Sequence, residues 1–398
     1  MPSDGSGVQE EPAMRGTGKR VLFAVGYWGL GHATRDLPLI RGLLNEGCEV
    51  IVGCDGPPLE ALRRELAGAC EVIRLAGAPL PMASTPLRFY TRYTLLLLPM
   101  WLSKSTQHAE VERLVRERRI DLVVSDNRYA CYSWAAPSFL VLHGVRFIAP
   151  FGKWWLEPAL EYFNYRAFAP FTRVIVPDFA THSLSGALSH DLRFVHPGRL
   201  AYIGHLSSLR RRAVAEDLDY FLTISGPEPQ RGMLERTLLA QIADLSGCGV
   251  MALGRPGLQS IEQRGGCKVY GYLDRVTQEE MMNRARVVVS RSGYSTLMEL
   301  AELGKRALLI PTPGQTEQEY LGAFHQEQKN APMVAQESLD LGRDLARVNA
   351  GFRGFRVPWT TEQSVAAFLE LVLGQSREPP VLTPSHEEQP PELVSSPG

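Results

Sequence analysis

The sequence predicts an α/β protein with parallel sheets, built as two similar halves in tandem. Three observations carry this. Short runs rich in Val, Ile and Leu alternate with amphipathic stretches of about ten residues, as strands linked by crossover helices do. The alternation breaks once, in the polar, arginine-rich segment IGHLSSLRRRAVAEDLD, and then resumes. The chain of 398 residues, 44% hydrophobic and 21% charged, is long enough for two or three domains and close to the globular average.

In the first half the strands fall at VLFAVG (21–26), EVIVGCD (49–55), EVIRL (71–75), IDLVVSD (120–126), VRFIAPF (145–151) and RVIVPDF (173–179), with helices from about Thr34 to Glu46 and around 57–67. The second half supplies YFLTISG (220–226), a helix over 230–244, VMALG (250–254), KVYGYL (268–273), a helix over 277–284, ARVVVS (285–290), a helix over 294–303 and RALLIP (306–311). A last amphipathic helix covers about Thr361 to Leu373. Residues 1–19 and 375–398, rich in Gly, Ser, Glu and Pro, lack the apolar content to offset their ordering entropy and read as disordered tails.

Composition narrows the function classes. Forty-two basic against 43 acidic residues leave a formal charge of -1, so nucleic acid or an anionic membrane finds no global positive field, and any such binding is local. The six cysteines form no CxxC pair, which argues against a disulfide framework or structural zinc and for a reducing cytoplasm. The first twenty residues have no apolar signal-peptide core, and no run approaches the roughly 20 apolar residues of a membrane span. The stretch Arg88–Lys104 mixes basic, aromatic and leucine residues; it reads as a buried core helix, with peripheral contact at the inner face of the membrane as the alternative.

Four strand-to-helix turns carry the candidate chemistry. The first is GYWGLGHATR (26–35). A dinucleotide fingerprint would need glycine at position 28, where Trp28 stands, so a nicotinamide enzyme is not indicated. The glycines, Gly29 and Gly31 among them, instead allow a substrate close to the backbone, with His32 at the start of the helix as a candidate general base; capping the helix is its plain alternative. The second turn, SDNRY (125–129), puts Asp126 at the carboxyl end of a parallel strand, where it can meet His32 and orient its ring, or simply end the strand as an Asx turn. The third and fourth, SGPEPQR (225–231) and SRSGYST (290–296), offer backbone N–H groups at helix starts, a usual phosphate cradle. Glu299 follows the latter at a reach suited to a ribose diol, and the polar run Gln315–Glu319 beside a strand end suits sugar hydroxyls.

The run SRSGYSTLMELAELGKRALLIPTPGQTEQEYLGA (290–323) resembles the donor-binding signature of family 28, MurG-like glycosyltransferases in the UDP-glycosyltransferase superfamily, and GLGHATRDLPLIRGLLNEGCEV (29–50) resembles their acceptor-side motif. With SDNRY and SGPEPQR, the similarity spans about 20–335. It implies the GT-B fold: an acceptor-binding Rossmann-like domain (20–204) and a nucleotide-sugar-binding one (205–360) facing across a cleft, with helix 361–374 returning to the first domain. The resemblance further implies that Ser292, Gly293, Ser295 and Thr296 face the diphosphate, Glu299 the ribose, Gln318 and Glu319 the donor sugar, and the backbone near Tyr272 and Leu273 the base, which suggests uridine. Gly29, Gly31, Arg35, Asn127, Arg128, Ser225, Gly226, Gln230, Arg231, Gln315 and Glu317 complete the expected substrate-binding set, with His32 and Asp126 as the catalytic pair.

The expected activity is inverting transfer of a hexose-type sugar from a nucleotide sugar, with no cofactor beyond that co-substrate and no metal, because no Asp-x-Asp stands at a strand end in a metal-binding context. The acceptor is open among a small molecule, a lipid-linked molecule and a polysaccharide. This turn carries bulky Tyr27 and Trp28 where the family has a more open loop, and the family's second glycine-rich acceptor loop has no match. A nucleotide-sugar epimerase of the same fold and an inactive sugar-binding scaffold are the competing readings.

Overall fold

The computed structural model describes residues 18–78, 86–149, 152–226, 228–255 and 257–374. The expected tails lie almost entirely outside these residues.

The first sheet has seven strands, all parallel: β1 (Arg20–Ala24), β2 (Glu49–Cys54), β3 (Glu71–Arg74), β4 (Leu122–Asp126), β5 (Ser138–Val141), β6 (Arg173–Val176) and β7 (Leu200–Tyr202), in the order β3-β2-β1-β4-β5-β6-β7. Strand order reverses between β1 and β4. In open α/β sheets that switch point, at the carboxyl ends of the strands, is where a crevice opens. Helices α1 (Leu30–Asn45), α2 (Pro57–Glu65), α3 (Pro86–Arg118) and α4 (Glu157–Ala167) accompany this sheet.

The second sheet is formed by β8 (Leu218–Thr223), β9 (Gly249–Ala252), β10 (Ile261–Arg264), β11 (Cys267–Tyr270), β12 (Ala285–Ser290) and β13 (Arg306–Leu309), in the order β10-β11-β9-β8-β12-β13. Only the edge hairpin β10–β11 is antiparallel. Its helices are α5 (Gln230–Leu239), α6 (Arg275–Arg284), α7 (Tyr294–Leu303), α8 (Thr316–Glu327) and α9 (Leu341–Gly351), while the last helix, α10 (Thr361–Leu373), packs on α1.

The two halves share one apolar layer. Leu37 and Ile40 of α1, Leu297 and Met298 of α7, and Phe368 and Leu369 of α10 belong to a single buried cluster. Each such side chain contributes about 1.5–3 kcal/mol when fully buried. Helix α10 lies against α1 so closely that a Cβ on Gly42 would stand 2.6 Å from Val365 Cγ1.

Two local expectations are corrected. VRFIAPF forms no strand among its described residues; the strand is Ser138–Val141, which pairs with both β4 and β6. Both runs are apolar, and only the pairing of neighbours decides which of them enters the sheet. The segment 88–104 belongs to α3, and of its described leucines Leu95 and Leu102 are 78% and 54% exposed and Leu96 is half-buried, so a wholly buried core helix is not what forms there. Further along α3, Val111, Leu114 and Val115 do enter the core. Among the described residues no helix is long and apolar enough to cross a membrane.

Candidate functional site

The switch point of the first sheet is built from the turn after β1 and the end of β4. Helix α1 begins at Leu30, so His32 stands in its first turn, and Asp126 is the last residue of β4. Because β1 and β4 pair directly, these two side chains meet: His32 Nδ1 lies 2.5 Å from Asp126 Oδ2. The contact depends on Gly26. A Cβ there would sit 2.7 Å from both Cγ and Nδ1 of the His32 ring.

Arg35, one turn along α1, donates to Asp126 Oδ1 through Nη2 and to His143 Nδ1 through Nη1 at 3.0 Å. His143 follows β5, and its Nε2 reaches Glu317 Oε1 of α8 at 3.3 Å. The donors fix the tautomers. An ionised Asp126 only accepts, and its 2.5 Å contact outweighs the 2.9 Å approach of Arg35 Nη2, which donates to Asp126 Oδ1, so His32 carries its proton on Nδ1; Arg35 only donates, so His143 accepts on Nδ1 and carries its proton on Nε2. His32 Nε2 is left without a protein partner among the described residues, on a side chain 14% exposed.

The electrostatics agree with this assignment. Burial lowers the pKa of His32, and Arg35 adds to that, while Asp126 opposes it. Burial alone would raise Asp126, but the charges of Arg35 and His32 and their hydrogen bonds outweigh it and hold the carboxyl well below the usual carboxylate range. Asp36, fully buried next to Arg35, is raised well above the ordinary range by burial and then by Asp126. Glu317 is lowered: burial pushes it up, and the His143 contact overcomes that.

The second domain meets this site at the start of α7. Ser295 Oγ donates to Gly31 O at 3.1 Å, and a Cβ on Gly31 would lie 2.8 Å from the same hydroxyl, so glycine is what lets the two helix starts touch. Tyr294 stacks on His143 with centroids 4.4 Å apart and rings 6° from parallel, and its hydroxyl donates to Pro177 O at 2.7 Å.

Because the strands that carry them are parallel, the expected donor-side residues all follow carboxyl ends on one edge of the second sheet. Ser225 and Gly226 follow β8, Tyr272 and Leu273 follow β11, Ser292–Thr296 follow β12, and Gln315–Glu319 follow β13. Gly293 caps α7 in extended backbone, with only Gln318 Nε2, 4.0 Å away, near its Cβ direction. Ser292 Oγ donates to Gln318 O at 2.7 Å. Gln318 Oε1 accepts from the Thr312 N–H at 2.9 Å, its Nε2 donates to Gln315 Oε1 at 2.5 Å, and Glu319 accepts from the Gly314 N–H at 2.8 Å. Glu299, raised by burial against the pull of Arg275, stands 4.0 Å from that guanidinium. Thr296 is partly exposed on the first turn of α7, and Gln230 opens α5.

Other expected binders are committed to the fold. Arg128 is 3% exposed and donates to Leu75 O, Ala76 O and Gln107, holding the loop after β3 against α3. Arg231 is held by Glu228, Glu235 and Leu253 O. Asn127 takes a left-handed backbone (φ 53°) just after β4, and its N–H donates to Val141 O. Gly29 caps α1, exposed. Tyr294 and Asp36 lie inside the quoted motifs but were not among the expected site residues, and His143 lies in no motif at all. Among the described residues no group of three or more His, Cys, Asp or Glu side chains is arranged to hold a metal ion.

Residues 255–348 match the family model of the glycosyltransferase family 28 C-terminal domain. The sequence has no significant match among curated proteins. Among solved structures, the chain is similar to the glycotransferase of kitacinnamycin (16% identity, 89% of this chain and 95% of that one, TM-score 0.58). It is also similar to MurG of Acinetobacter baumannii (14%, 90% and 100%, 0.53) and to the spinosyn rhamnosyltransferase SpnG complexed with thymidine diphosphate (16%, 89% and 95%, 0.53). The architecture is therefore the GT-B fold that the motifs implied, two Rossmann-like domains facing across a cleft.

Proposed function

We propose that the protein is an inverting glycosyltransferase that moves a hexose-type sugar from a nucleotide sugar to an acceptor hydroxyl, with His32 as general base and no metal. The observation that carries this reading is the His32–Asp126 pair beside the start of α7. A neutral imidazole, its Nδ1–H held at 2.5 Å by a buried carboxylate, has Nε2 free to take a proton. The second domain's helix N-terminus lies immediately opposite.

His32 Nε2 removes the acceptor hydroxyl proton as the oxygen attacks the anomeric carbon from the face opposite the leaving group. The bond to the nucleoside diphosphate breaks, and its electron pair stays on the phosphate oxygen. Asp126 stabilises the imidazolium so formed. The N–H groups at Gly293 to Thr296 face the developing charge on the diphosphate, the part a metal ion plays elsewhere. General-base help of this kind supplies about 10²- to 10⁴-fold of the rate.

The side chains ordered around Gln318 favour a sugar site beside the diphosphate. The matched family and the thymidine diphosphate bound by the spinosyn enzyme favour a nucleotide donor, uridine or thymidine. A thermal-shift screen with UDP, dTDP and GDP tests this: a ligand at 100 times its dissociation constant adds about 2.7 kcal/mol of stability, and no shift with any of them refutes the reading. Transfer is expected to survive EDTA, and a strict need for added Mg²⁺ or Mn²⁺ refutes the metal-free mechanism.

A further inference from the structure

The other edge of the second sheet carries a different feature. A cavity of about 790 Å³ is lined by Arg211, Arg286, Arg306, Arg353 and Arg356, with Trp359 on its wall. Arg286 lies near the amino end of β12 and Arg306 opens β13, whereas the donor-side loops leave the carboxyl ends of the same strands. The six residues of β12 separate the two edges by roughly 20 Å. The cavity is therefore not part of the cleft.

Only part of its charge is paired internally. Glu216, on the wall, pairs with Lys305 at 2.6 Å, and Arg286 with Asp219 at 2.8 Å. Glu302, the other carboxylate lining the cavity, is taken by His205 and Thr361. Arg353 donates to Gln328 O at 3.0 Å. Arg211, Arg306 and Arg356 are exposed and make no ion pair or side-chain hydrogen bond among the described residues. Some surface arginines elsewhere are matched with acids, as in Arg113–Glu117 and Arg116–Glu112 of α3 and Arg284–Glu280 of α6, and others such as Arg64 and Arg173 stand singly among the described residues; what sets these three apart is that they line one concavity. Three guanidinium groups without ion-pair partners around one concavity repel one another, a local excess of positive charge on a chain of net charge -1. A planar guanidinium presents two parallel N–H donors that match two oxygens of a phosphate, and the volume is that of a small-molecule site.

We infer that this cavity binds a molecule carrying two or more phosphate charges, either a free polyphosphate or the headgroup of an anionic phospholipid. The inference does not rest on the glycosyl-transfer reading. The test uses the full chain and two probes: titration with inorganic tripolyphosphate followed by calorimetry, and flotation with phosphatidylcholine vesicles with and without cardiolipin, whose headgroup carries two phosphates. The wild type should bind at least one probe. R306Q/R356Q should bind it about 25-fold more weakly, losing about a factor of five per arginine removed. R211Q gives an independent loss, and R113Q/R116Q on α3 should bind as the wild type does. Thermal unfolding of each variant checks that it is folded. Binding of tripolyphosphate alone identifies a soluble ligand, and binding of the cardiolipin vesicles alone identifies a headgroup; either supports the site. The inference is overturned if the wild type binds neither probe, or if R306Q/R356Q binds as the wild type does, which would place the anion in the nucleotide cleft instead.

Discussion

Substituting Gly26 with alanine tests whether the His32–Asp126 geometry matters, without touching either residue. Gly26 has an ordinary backbone conformation, so alanine adds no backbone strain, but its Cβ would arrive 2.7 Å from Cγ and Nδ1 of His32 and 3.1 Å from Cε1. Carbon atoms in van der Waals contact sit about 3.5–4 Å apart, so the ring must retreat by about 1 Å. The imidazole, a side chain, is free to move; the sheet is not. From 2.5 Å, a displacement of that size carries Nδ1 past the limit of about 3.2 Å for a useful hydrogen bond to Asp126. A misplacement of about 1 Å costs roughly 10²-fold in turnover. The assay is steady-state release of nucleoside diphosphate at saturating donor, with donor-induced thermal stabilisation measured in parallel. The expected result is kcat down about 10²-fold and donor stabilisation unchanged. A folded G26A enzyme with wild-type kcat would refute the reasoning.

Asp126→Asn removes the acceptor that fixes the His32 tautomer, and kcat should fall by about 10³- to 10⁴-fold while the protein stays folded. Since burial lowers the pKa of His32 from 6.5, the base is neutral through neutral pH, and kcat/KM should decline only on the acid side of that value; Asp126 pulls the pKa upward, so in residual D126N activity the acid limb should move to lower pH still. A limb that moves to higher pH would contradict the assignment. His325, buried between the halves with Nε2 donating to Leu184 O at 2.9 Å, has its pKa pushed down to about 4 by burial. The unfolded chain then binds the extra proton first, so stability should fall as pH drops from about 6.5 to 4, by up to about 3 kcal/mol from this residue. Urea unfolding of H325Q across that range should show a correspondingly shallower loss, and an unchanged slope would refute it.

How much of this was legible follows from what periodicity and strand ends encode. ARVVVS, the helix over 294–303 and the helix over 361–373 are strongly patterned, and they form at those residues. His32 and Asp126 were legible as a pair because a parallel sheet places the ends of β1 and β4 side by side. His143, Tyr294 and Asp36 were not: His143 matters because Arg35 and Glu317 reach it from elements 108 and 174 residues away, and no local spacing records that. The same blindness made Arg128 and Arg231 look like ligand residues, since an arginine at a strand end reads alike whether it meets a phosphate or a buried carbonyl. Asp55, at the end of the second predicted strand, accepts from the Gly77 N–H and from Arg74, tying the loop after β3 to β2, a role no spacing announces.

The central claim is that His32 is the base of a glycosyl transfer, and release of nucleoside diphosphate by wild type and His32→Ala, with the donor identified by thermal shift, tests it most directly. Loss of about 10²- to 10⁴-fold in kcat, with the donor still stabilising the variant as it does the wild type, is the predicted result. Equal turnover by the two proteins would contradict it.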